Sequence, residues 1–137
     1  MKSTTNRIQR AYMLAKANLG ALEDIEKEIE RKYIADHNIT NAGGEVPERI
    51  YCIDDESVFD KANSECSDMP ESKANFADIL EARELLEQAE NALIAYGLSI
   101  APAREREILT RSAETNYTIR RKIIDLVLRL DASTVRA

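Results

Sequence analysis

Few residues in this chain have the type and spacing that chemistry requires. His37, in "DHN", is the single histidine. One imidazole supports neither a zinc triad nor a Glu-x-x-His di-iron pair, and a Ser-His-Asp relay would rest on this residue alone. Its place where a helix ends reads as a cap or an exposed loop residue. Cys52 and Cys66 stand apart instead of forming C-x-x-C, so neither a zinc knuckle nor a dithiol redox pair is signalled and two free thiols are expected. Either could act as a nucleophile beside His37, yet nothing in the local sequence supports the pairing. Glu81, Glu84 and Glu87 form a three-spaced ladder that could hold a cation but ordinarily marks a wet helix face. "NAGGEV" (residues 41–46) lacks the Lys-Ser/Thr that follows a phosphate-cradling loop. The chain therefore reads as a non-enzyme with no cofactor and no metal, which leaves its surfaces to carry function.

Those surfaces are unevenly charged. Residues 1–34 hold seven basic and five acidic groups, residues 35–101 four and fifteen, and residues 102–137 eight and five, giving +2, −11 and +3 within a net charge of −6. In the acidic middle, Asp54, Asp55, Glu56 and Asp60 of "DDESVFD" are candidates to dock on a basic partner or, as phosphate mimics do, to block a nucleic-acid-handling protein. In the basic end, Arg111, Arg120, Arg121, Lys122 and Arg129 are candidates for a nucleic-acid-binding regulator. Arg120, Arg121 and Lys122 fan around a helical wheel, however, and a protein of net charge −6 must gather its positive charge on one patch to release counterions. Nucleic acid is thus the less favoured partner. The plainest reading of the asymmetry is pairing of basic and acidic helices within the fold.

The elements that must position these groups are helical. Gly (4) and Pro (3) are scarce and 32% of residues are charged, a composition that favours helices over a many-stranded sheet. A heptad stripe of Ile8, Tyr12, Ala15, Leu19, Leu22, Ile29 and Tyr33 predicts a first helix over about residues 5–34, with Glu26 at the skipped position. Residues 35–67 break the pattern with turn formers, Gly43-Gly44 and Pro47, and predict an irregular, partly extended insertion. It would hold a short strand or plug at "RIYCI" and a short helix near Ser57 to Asn63. Asp68 as N-cap with Pro70 in the first turn opens a second helix over about 69–96, ending at Gly97. Its seam of Ile79, Ala82, Leu86, Ala89, Leu93 and Tyr96 weakens one step earlier, where polar Asn75 falls beside Phe76.

The stretch from Pro102 to Leu130 has two readings. Its opening, "PAREREIL", resembles the "P-R-E-R-E-V-L" start of the helix-turn-helix domain of quorum-sensing transcription activators. That family's following "G-x-S-x-x-E-I-A" turn and helix has no counterpart here, and "TNYT" (residues 115–118) lacks the glycine common in such turns. As one helix the segment matches the length of the other two, about 42 Å, and the reading adopted is a third helix over about 102–131, followed by a frayed tail, "DASTVRA". Ile124, Val127 and Leu128 form an extra stripe on it.

Together these features predict an all-α single domain (1–137): a bundle of three long helices with the insertion between the first and second. Ile79, Leu86, Leu93, Ile124, Val127 and Leu128 are the candidate helix–helix interface. No signal peptide and no membrane span is recognisable, so the expectation is a cytoplasmic protein. Its function is expected to be interaction or assembly through helical surfaces, with a protein partner, as a homodimer if the extra stripe is left uncovered.

Overall fold

The computed structural model describes residues 4–130, except for the side chains of residues 4, 103 and 104. The tail "DASTVRA" and the expected reach of the last helix to residue 131 lie outside the described residues. Among those described there are five α-helices, α1 (Thr4–Asp36), α2 (Glu56–Asp68), α3 (Pro70–Ile100), α4 (Ala103–Thr115) and α5 (Tyr117–Arg129), and a 3-10 turn at Ile50–Cys52. The all-α class is what the structure shows; among the described residues no strand forms, and "RIYCI" supplies the 3-10 turn. No helix among the described residues is long and apolar enough to cross a membrane.

Each boundary has a local cause. α1 closes on Asn38 in the left-handed region (φ 52°) with Ile39 N–H donating to the Ile34 carbonyl at 3.1 Å, a Schellman-type stop. Pro70 disfavours helical geometry in the residue before it, so Met69 is extended (ψ 138°) and separates α2 from α3. The insertion thus ends in a helix five residues longer at its C-terminal end than expected, and α3 begins at Pro70 itself.

α3 runs through Gly97 to Ile100. A Cβ on Gly97 would stand 2.7 Å from Ile123 Cγ2 and 3.0 Å from Val127 Cγ2, so this glycine serves close helix approach instead of termination. Past Ile100, the Arg106 guanidinium donates to the carbonyls of Leu98, Ser99 and Ala101 at 3.1–3.2 Å, capping the end of α3 with positive charge.

The expected single third helix is two. Asn116 is extended (φ −126°, ψ 106°), ending α4 and opening α5, and its side chain accepts from the Ile119 N–H at 3.2 Å. An Asn side chain competes with the helical ladder for its own backbone, and here the cap wins over the apolar periodicity. The equality of length that favoured one rod carries no such local information. The freed segment does not stand proud: Ile123, Ile124 and Val127 are all buried.

Packing divides the chain into two compact units, one of Met1–Ala17 and Arg83–Ala137, the other of Asn18–Ala82, with α1 and α3 contributing to both. The first unit's core joins Tyr12, Leu93, Ile94, Ala113, Ile123, Ile124 and Val127, flanked by Leu86 and Leu128. Polar groups tie its edges, with Gln9 donating to the Val127 and Leu130 carbonyls at the end of α5 and buried Thr5 bonded to the Tyr96 hydroxyl. The second unit's core joins Tyr33, Ile34, Ile50, Ile53, Ala62 and Cys66. Ile79 and Ala82 are buried as well. Asn75 keeps the seam's register: it is buried and donates to the Leu22 carbonyl at 3.1 Å, while Phe76 faces solvent.

Candidate functional site

Two of the residues considered for chemistry, His37 and Cys66, are bound into structure, whereas Glu81, Glu84 and Glu87 face solvent. The His37 ring stacks on Tyr33 (centroids 3.9 Å apart), its Nδ1 lies 2.9 Å from the Tyr33 carbonyl and its Nε2 lies 3.9 Å from Glu65. Tyr33 donates its hydroxyl to Glu65 at 2.5 Å, and burial together with that carboxylate pushes the phenol up to about 12. Neither thiol is a hydrogen-bond partner of His37. Cys66 is buried 3.9 Å from the Ser72 hydroxyl, and burial pushes its thiol up, which disfavours the reactive thiolate. Cys52 is exposed. Among the described residues, no three His, Cys, Asp or Glu side chains converge as a metal site.

The acidic candidates fall into two classes. Asp54 accepts the Ala42 N–H at 2.9 Å while its own N–H donates to Asn41 Oδ1, and Asn41 in turn donates to the Cys52 carbonyl. Asp55 caps α2, accepting the Val58 N–H at 3.0 Å. Both hold the insertion's own backbone. Glu56 and Asp60 are exposed on the first turns of α2, with no hydrogen bond or ion pair to another described residue within 4.0 Å. The same segment exposes Val46 (62%) and Tyr51 (71%).

What gives the insertion its shape was not among the sequence candidates. Arg49 donates to Glu30 from Nε (3.1 Å) and Nη2 (2.7 Å) and to Glu26 at 3.0 Å, and Glu30 also accepts the Ile50 N–H at 2.9 Å. Burial of Glu30 opposes its ionisation, but the Arg49 guanidinium and the Ile50 N–H outweigh it and hold the carboxyl below its ordinary value. The signal was present as the charged residue at the skipped heptad position, Glu26, followed one turn later by Glu30.

The basic candidates do not gather. Arg111 pairs with Glu107 along α4 at 2.8 Å, Arg120 donates to Asn91, and Arg121 donates to the buried Tyr12 hydroxyl and lies 3.8 Å from Glu90. Lys122 and Arg129 stay exposed on α5, with Leu126 (62% exposed) between them. The candidate interface residues Leu86, Leu93, Ile124, Val127 and Leu128 all belong to or flank the first core, so the extra stripe is covered within the chain. An open groove beside α1, lined by Ile25 and Ile29, carries charges of both signs on its rim.

Charge follows the packing. The second unit holds seventeen acidic and six basic residues, net −11, and the first holds eight and thirteen, net +5, which together make the −6 of the chain. Comparison with protein-family models, with curated proteins and with solved structures finds no match.

Proposed function

We propose that the protein is a non-enzymatic interaction module, acting through the exposed insertion and helical faces of its bundle, and that its acidic unit docks on a basic protein surface. The observation that carries this reading is the unequal charge of the two packing units, net −11 for one and net +5 for the other. The insertion is held by the Arg49 clamp and the Asn41–Asp54 bonds, so its exposed groups are presented at little ordering cost. Tyr51 and Val46 offer apolar anchors, and Glu48, Glu56 and Asp60 offer carboxylates not used to fold it. The dispersal of Arg120 and Arg121 into intramolecular bonds speaks against the nucleic-acid alternative.

The test is calorimetric titration with a Lys/Arg-rich amphipathic helical peptide over a salt series, against the wild type and E48Q/E56Q/D60N. Binding that weakens at least about tenfold in the triple variant and falls with salt supports the reading. Undiminished binding by the variant, or none at low salt, sinks it.

A further inference from the structure

α5 presents one side to its own core and another to solvent. Ile123, Ile124 and Val127 are buried, whereas Lys122, Leu126 and Arg129, at i, i+4 and i+7, form one exposed stripe with an apolar centre and a cation at each end. Neither cation has an ion-pair partner within 4.0 Å among the described residues. A bare leucine between two cations is poorly matched to a phosphate backbone and well matched to a protein face whose apolar group is flanked by carboxylates.

The acidic unit of the chain itself carries groups of that chemistry: Val46 and Tyr51 are exposed on the insertion, and so are Glu48, Glu56 and Asp60. We infer that the α5 stripe of one copy docks on the insertion face of a second copy, a head-to-tail contact between unlike surfaces. This rests on the reading of the acidic unit as a docking surface and names its partner. Because the two faces differ, each copy keeps one of each free, and association continues beyond a pair.

The test uses the full chain alone. Light scattering at roughly 0.01 M salt is expected to show a mass rising with concentration above twice the 15.4 kDa of one chain, returning to 15.4 kDa at roughly 1 M salt. K122E/R129E and E56K/D60K should each stay at 15.4 kDa. An equimolar mixture of the two should associate again, as should the chain carrying all four changes. The milder K122Q/R129Q pair, with circular dichroism showing unchanged helix, guards against loss of fold. A monomer at every salt, association surviving 1 M salt, or reversal variants that still associate alone would each overturn the contact. So would a mixture that fails to recover. If self-association fails while the basic peptide still binds the acidic unit, the contact falls and the docking reading stands.

Discussion

The two units are built by different means. The first is held by aliphatic side chains in helical register, with Leu93, Ile124 and Val127 almost wholly buried and polar groups confined to its edges. The second buries a smaller mixed cluster and fixes thirteen irregular residues, 37–49, through charge: Arg49 joins Glu26 and Glu30 of α1 and Asp54 holds Ala42, while Asp55 caps α2. Apolar periodicity is non-directional and tolerant, whereas a guanidinium between two carboxylates fixes one geometry. On the proposed reading the division has a use, because a surface presented by directional bonds keeps its shape without needing a large core beneath it.

The largest separation should come from truncating the first core. Leu93→Ala removes a side chain with no exposure and should cost about 3 kcal/mol, read as the shift in the urea midpoint. Phe76→Ala, on an exposed site of the same helix, should fall within about 0.5 kcal/mol. Equal costs at the two sites would mean that the seam is not where the first unit's stability resides.

Next comes the clamp. Arg49→Met keeps the stem but leaves Glu26 and Glu30 without their partner, and should cost about 2 kcal/mol. Hydrogen exchange should place the loss in the second unit's amides, with the core of α5 unmoved. Acid should act on the same place. Glu30 has a lowered folded-state pKa, so its contribution is present above the ordinary carboxyl value of 4.5 and is lost as pH falls below it. Tyr33 gives the alkaline counterpart. Its pKa is raised, so its contribution is intact below 10.0 and disappears as pH climbs towards about 12. Arg49→Met should abolish most of the acid loss and leave the alkaline loss in place.

How much of this was legible follows from the same contrast. The seam from Ile79 to Tyr96 was readable because every position obeys one period, and its residues are buried or half-buried. The insertion's helix was foreseen but not its length, since Pro70 acts on Met69 and not on Asp68. The break at Asn116 was hidden because a single cap competes locally with a periodicity summed over many residues. Of the acidic candidates, Asp54 and Asp55 stand at turn and cap positions, where short carboxylates bond the backbone; Glu56 and Asp60, beyond the cap, remain outward. Arg49 was missed because its partners lie 19 and 23 residues away, and only the charge interrupting the α1 stripe hinted at them.

The smallest expected effect is also the one with opposite signs in the two units. Gly20 and Gly97 both lie inside long helices, where alanine gains about 1 kcal/mol over glycine in propensity. At Gly20, in the second unit, nothing lies within 4 Å of an added Cβ, so Gly20→Ala should stabilise by most of that amount. At Gly97, in the first unit, the added Cβ meets Ile123 Cγ2 and Val127 Cγ2, methyls carried on stiff β-branched carbons that cannot swing aside as a long side chain would. The strain of overpacking, about 2 kcal/mol, exceeds the propensity gain and leaves Gly97→Ala destabilised by about 1 kcal/mol. Thermal unfolding of the two variants decides the matter: a rise in Tm at both sites would show that α3 and α5 do not approach closely at Gly97, and that the first unit's core is looser than its buried side chains imply.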